Sequence, residues 1–328
     1  MTDLSVKYLG LNLKNPIIVS SCGLTNSIEN LVKIEKEGGA AVVLKSLFEE
    51  QIMYETDQLL SVNGSGYYYA EAEDYITSYS DEHSIEDYLN FIRTAKKAVN
   101  IPIIASINCV SSAEWTSFAK RIQEAGADAL ELNISILPAS IEVERHSNEK
   151  IYFDIIKALK REISMPFSIK IGNYFSALAH TIVHLSWTGV SGIVLFNRFC
   201  SPDIDIEKLE TTQSNMYSSP GDYQESLRWI SLLSDKVYCD MAATTGIHSG
   251  NTVIKQLLAG AKAVEIASVL YQNGFEHIGV MLAEIELWMQ SQQIEALKNI
   301  IGIMSYKNIQ SPDSYLRVQF MKHFEEIE

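Results

Sequence analysis

The residues best placed to do chemistry stand at the ends of short apolar runs. Lys45 closes AVVL, Asn108 closes PIIASI, Asn133 closes ALEL, Lys170 sits near the end of FSIKI and Asn197 closes IVLF. Ser20 and Ser21 follow IIV, and Ala267 and Ser268 follow VEI. An ammonium or amide withdrawn from water needs a charged or hydrogen-bonding partner. One such lysine could simply cap a loop or snorkel to solvent. Two lysines and three asparagines in the same relation to their runs point to a polar ring around an anionic or electron-rich ligand. Ala243–Gly250 reads ATTGIHSG and leads into a helical pattern. Thr244, Thr245 and Gly246 therefore precede first-turn amides, which favour an anion such as phosphate, with Ser268 closing the same end. The plainer alternative is an ordinary loop with a serine cap.

Such a ring requires strands that converge on one face. A phrase recurs along the chain: KEGGAAVVLK, QEAGADALELN, LSWTGVSGIVLFN and LLAGAKAVEIAS. In each, a helical pattern stops at glycine and a non-alternating apolar run follows. Glycine is the natural residue after a helix end, and non-alternating runs suit parallel strands covered on both faces. Four more runs, IIVS, PIIASIN, PFSIKI and KVYCDM, bring the count to eight, starting near 17, 41, 102, 128, 166, 191, 236 and 262. Amphipathic patterns separate them, around 28–37, 84–99, 113–125, 149–163, 176–188, 222–234 and 250–259. This is the order of a (β/α)8 barrel formed as a single domain over residues 1–328. The start, LSVKYLGLNLKNP, reads as a hairpin able to plug the barrel bottom, and Phe275 to Leu297 as a last helix with an extension. Two connections, Ser46 to about His83 and Arg198 to about Gly221, are too long for plain loops and suit a cover over the site or a subunit contact. The first is rich in tyrosine: Tyr67, Tyr68, Tyr69, Tyr75 and Tyr79.

Composition narrows the partners. With 26 basic and 41 acidic residues the net charge is -15, which argues against a nucleic-acid surface or an anionic membrane patch. The four cysteines, Cys22, Cys109, Cys200 and Cys239, form no C-x-x-C pair, so neither a disulfide frame nor a metal site is expected. There is no run of eighteen apolar residues and no signal-peptide pattern at the start, which makes the cytoplasm the expected location. No iron–sulfur spacing and no GxGxxG after the first strand point to a second cofactor.

Taken together, NPIIVSSCG, VVLKS, ELN, SIKIG, LFN and TTGIHSG followed by LLAGAKAVEIAS resemble the dihydroorotate dehydrogenase family, from about residue 4 to residue 275. The resemblance implies an FMN-dependent oxidoreductase of pyrimidine biosynthesis, with dihydroorotate as substrate and a homodimer among the assemblies it allows. It places Ser20 and Ser21 beside the flavin, Lys45 and Lys170 near its ring, with Lys170 at the N1/C2 edge, and Asn108 among the cofactor-binding residues. Asn133 and Asn197 would reach flavin or substrate, and Thr244, Thr245, Gly246, Ala267 and Ser268 would cradle the phosphate. A cation at the N1 edge would stabilise charge as the ring accepts hydride.

The departures fall on the substrate half. The family's strand-four loop reads N-x-S-C-P-N or N-x-S-S-P-N, with Cys or Ser as the base. Here it reads Asn133-Ile134-Ser135-Ile136-Leu137-Pro138. Ile136, or Leu137 if the prolines are aligned, stands where the proton acceptor belongs, leaving Ser135 as the nearest hydroxyl. Thr245 replaces the first of two glycines, where its side chain would either crowd the phosphate or donate to it. Arg198 replaces a small residue and could meet a carboxylate. Besides dihydroorotate oxidation, three readings stay open: a flavin oxidoreductase acting on another small carboxylate, a non-catalytic flavin-binding barrel, and a Schiff-base lyase using Lys45 or Lys170.

Overall fold

A computed structural model describes residues 2–49, 85–109, 116–141, 147–198, 202–213, 216–310 and 312–316. After a hairpin of β1 (Val6–Tyr8) and β2 (Leu11–Leu13), the chain alternates strand and helix: β3 (Ile17–Val19), α1 (Ile28–Lys36), β4 (Ala41–Val43), a short β5 (Leu47–Phe48), α2 (Ile85–Ala98), β6 (Ile103–Cys109), α3 (Thr116–Ala125), β7 (Ala129–Ile134) and α4 (Ser147–Glu162). It continues through β8 (Phe167–Ile171), α5 (Leu178–Trp187), β9 (Gly192–Leu195), the hairpin β10 (Pro202–Asp205) and β11 (Glu210–Gln213), α6 (Tyr223–Leu233), β12 (Asp240–Thr244), α7 (Gly250–Ala259), β13 (Ala263–Ile266), α8 (Ser268–Asn273) and α9 (His277–Ser291).

The parallel strands run β4-β3-β13-β12-β9-β8-β7-β6, and a pairing of β4 with β6 closes the cylinder. The expected (β/α)8 barrel is therefore present. Its strands are buried almost throughout, as the unbroken runs IIV, AVV and GIVL require. The glycines at which the helices of the recurring phrases stop, Gly38, Gly126, Gly189 and Gly260, all have positive φ, the conformation that ends a helix without a Cβ penalty.

The starting hairpin plugs the bottom of the barrel. Tyr8 and Leu9 are buried, and the Leu9 amide donates to Asp240 Oδ2 at 2.9 Å. One strand is displaced from expectation. KVYCDM was to begin near 236, yet Lys236 and Val237 donate to Leu233 O and Tyr238 is exposed, so the strand starts at Asp240. Apolar residues that finish a helix turn and residues that begin a strand look alike in sequence. α8 was not expected either: six residues are too few for a periodic signal. The second long connection carries β10 and β11. Most of the first, 50–84 with its five tyrosines, lies outside the described residues.

Candidate functional site

The C-terminal strand ends form the mouth. Register sets three positions of the expected ring side by side, since Asn108 pairs with Asn133 and Asn133 with Lys170, and Phe48 pairs with Asn108 on the other side. Because strand side chains alternate, Glu131 lies on the same face as Asn133, one layer lower. Glu131 is buried to 1% exposure, as is Glu265 on β13, and Lys170 to 6%.

Lys170 therefore does not reach for solvent. Its Nζ donates to Glu265 Oε2 and to Ser20 Oγ, both at 2.8 Å, and lies 3.6 Å from Glu131 Oε1. Ser20 Oγ in turn donates to Glu265 Oε2 at 2.9 Å. Burial disfavours the charged form of Lys170, but the two glutamates outweigh it and raise its pKa. Burial, with the adjacent Glu265, lifts Glu131 well above the usual carboxylate range. Burial opposes ionisation of Glu265 too, yet Lys170 and the hydrogen bonds it receives hold it below its ordinary value. Tyr8 closes the layer from beneath, its phenol raised by burial and by both carboxyls.

Other expected residues are brought together at the rim. Asn197 Nδ2 donates to Ser135 Oγ, and Ser135 Oγ donates to Asn133 Oδ1 at 3.4 Å. Ser21 joins a chain of hydroxyls with Ser46 at 3.0 Å, and Ser46 with Ser106 at 2.8 Å, tying β3, β4 and β6. Lys45 and Asn108 are half-buried beside it. Ile136 packs on the core, while Leu137 is 57% exposed. Neither position offers a proton acceptor.

At the other end, Thr245 has φ +72 and donates its hydroxyl to Phe196 O at 3.1 Å. Its side chain is thus turned to the backbone of the neighbouring strand end. Gly246 has φ +77, and a Cβ there would lie 2.3 Å from Tyr223 N. The glycine is needed for packing against the start of α6, whatever else the loop binds. Thr244 Oγ1 donates to Glu265 O at 3.3 Å, and Ser268 Oγ accepts from Ser218 N at 3.0 Å. Ser218 Oγ meets His248 Nε2 at 3.0 Å, and burial lowers the pKa of that histidine. Arg198 Nη1 donates to Met216 O at 2.8 Å, so this arginine helps hold 216–218 along the mouth.

A cavity of about 170 Å³ runs between these two ends, walled by Ser20, Lys170, Glu265, Thr244, Ala267 and Ser268. Gly246 and Thr245 also line it. A second cavity of about 420 Å³ shares Asn197, Arg198, Thr244 and Thr245 with it. The donor set fits a phosphorylated ring: a fixed ammonium and a hydroxyl at one end, small residues and hydroxyls at the other. Ligand pockets of drug-sized molecules measure about 300–1,000 Å³, so the two cavities together meet the size and the first alone does not.

Reasoning from sequence missed Glu131, Glu265, Ser46, Ser106 and Ser218. A signal existed for the glutamates: each is a charged residue inside an apolar strand, and Glu131 keeps the inward parity of Asn133. Among the described residues, no group of three or more His, Cys, Asp or Glu could hold a metal. Cys22, Cys109 and Cys239 are free thiols. No helix of the described residues is long and apolar enough to cross a membrane.

A closed parallel barrel with a charged cluster beneath its mouth and polar strand ends is a (β/α)8 barrel, a fold whose enzymes carry their sites at the C-terminal face. The sequence profile of the dihydroorotate dehydrogenase family matches residues 3–289, and the chain belongs to that family. It is 24% identical to the dihydroorotate dehydrogenase B (NAD(+)) catalytic subunit of Thermoplasma acidophilum over 308 residues, 92% of this chain and 99% of the relative. The corresponding subunit of Pyrococcus abyssi is 25% identical over 310 residues, 92% of this chain and 98% of the relative. The NAD-dependent dihydropyrimidine dehydrogenase subunit PreA of Escherichia coli is 22% identical over 329 residues, 95% of this chain and 79% of the relative.

Proposed function

We propose that the chain is an FMN-dependent oxidoreductase whose flavin lies across the mouth. The observation that carries this reading is the cavity joining Lys170 and Ser20 to the small residues Gly246, Ala267 and Ser268, in a chain that belongs to this family over most of its length. Lys170 and Ser20 would hold the ring edge, and Thr244, Thr245, Gly246, Ala267 and Ser268 the phosphate end. Bound there, the flavin supplies hydride acceptance. Lys170 fixes positive charge where the ring gains electrons, and Asn133, Asn197 and Ser135 present a connected set of amide and hydroxyl groups to a substrate above it. Lys45 and Asn108, with Ser21, complete the rim.

Dihydroorotate is the first substrate to test, and we expect it to be a poor one. Its oxidation removes a hydride from C6 and a proton from C5, and neither Ile136 nor Leu137 accepts a proton. Ser135 is bound to Asn133 and Asn197, which favours a positioning role over that of a base. A second reading, oxidation or reduction of another small ring, is favoured by that same loop and by the relative named as a dihydropyrimidine dehydrogenase subunit. The relatives are named as subunits, which supports either a partner protein or a second copy of this chain. Mixing the protein anaerobically with dihydroorotate or a dihydropyrimidine, and following flavin bleaching, separates the readings. Rapid bleaching by dihydroorotate would contradict the first expectation.

A further inference from the structure

Glu131, Glu265 and Lys170 are each more than nine-tenths buried. Fully ionised, they would leave one uncompensated negative charge in a dry interior, an arrangement proteins avoid. The two carboxyls flank the same ammonium, at 3.6 Å and 2.8 Å from Lys170 Nζ, and each has an Oε1 with no hydrogen-bond partner. Ionised carboxylates only accept, so two of them side by side repel. A proton on one makes it a donor to the other and cancels the surplus charge.

We propose that Glu131 and Glu265 hold a single proton between them and together form the counter-ion of Lys170, so that both are positioning residues for the ammonium at the floor of the mouth. The proton resides on Glu131. Glu265 is the closer partner of Lys170, at 2.8 Å against 3.6 Å, and also accepts from Ser20. Its assignment agrees with the opposite directions in which the two carboxyls are shifted. Tyr8 from the hairpin and Cys22 beyond Ser20 also face the cluster, and neither carries a positive charge. The lysine and the two carboxyls are then neutral as a unit. Such a floor suits an uncharged ring lying over it and leaves an anionic group to the end near Ser268. What the ammonium acts on rests on the flavin reading above; the shared proton does not.

The arrangement is redundant. Without either glutamate, the remaining carboxylate ionises against Lys170. Without the lysine, both carboxyls take up a proton. Infrared difference spectroscopy of the whole protein near neutral pH reads this directly, through the C=O stretch of a buried carboxylic acid and its shift in D2O. Wild type should show the band, and both Glu131→Gln and Glu265→Gln should lose it. Lys170→Met should about double it. Absence of the band in wild type, or its survival in Glu265→Gln, overturns the proposal, and the wild-type spectrum decides even where a variant fails to fold. A colourless protein that keeps the band counts against the flavin reading alone. A flavin-loaded protein without the band counts against the shared proton alone.

Discussion

Lys170 reaches across the barrel interior to Glu265, with 2.8 Å between Nζ and Oε2, although β9 and β12 separate their strands in the sheet. The contact ties β8 to β13 across the interior, directly beneath the mouth. It also makes the lysine's charge inseparable from the carboxyls that surround it.

Removing the lysine should therefore do more than weaken ligand binding. Lys170→Ala leaves two buried carboxyls without their cation, so that Glu265 too must take up a proton, and breaking a buried pair in this way costs about 3–5 kcal/mol. The loss should be largest above neutral pH, where that second proton is hardest to hold, and smaller in mild acid. Urea unfolding at two pH values measures the difference, and FMN retention in the folded fraction should fall as well. Equal stability of wild type and variant at both values would show that the pair contributes nothing.

The carboxyls predict how stability follows pH. Glu131 has its folded pKa raised above the unfolded value, so its contribution is complete below the ordinary carboxylate range and fades as pH rises toward the folded value. Between those limits folding takes up a proton, and stability falls by up to about 1.4 kcal/mol per pH unit. Glu265 has its folded pKa lowered, so its contribution is present above the ordinary range and is lost in acid. Glu131→Gln should flatten the alkaline slope and leave the acid one. An unchanged alkaline slope in that variant would place the titration elsewhere.

The barrel was legible because its strands are non-alternating apolar runs punctuated by glycine, and because Lys45, Asn108, Asn133, Lys170 and Asn197 mark where those runs end. What the lysine bonds to was not legible. Glu265 lies 95 positions away along the chain, and no local pattern reports which side chains face each other across a barrel. The start of β12 was misread for a different reason: Val237 and Tyr238 have strand-like composition but complete the turn after α6. The hydrogen bond from the Thr245 hydroxyl to Phe196 O was not legible either, because that partner is set by tertiary structure alone.

The strand-four loop carries the enzymological prediction. A positioned base contributes about 10²–10⁴-fold to a proton transfer, and Ile136 cannot serve as one. Wild type should turn over dihydroorotate weakly or not at all, and Ile136→Cys should raise the rate if the pocket accepts that substrate. Because Ile136 packs on the core, the variant's melting temperature should be measured alongside. Ordinary turnover by wild type, abolished in Ser135→Ala, would instead identify Ser135 as the base.

The central claim is that the mouth between Lys170 and Ser268 holds FMN. The visible spectrum of the purified protein tests it most directly, with mass analysis of whatever denaturation releases. The purified protein should be yellow, release FMN, and take FMN up again after being stripped. A colourless protein that also fails to bind added FMN would contradict it.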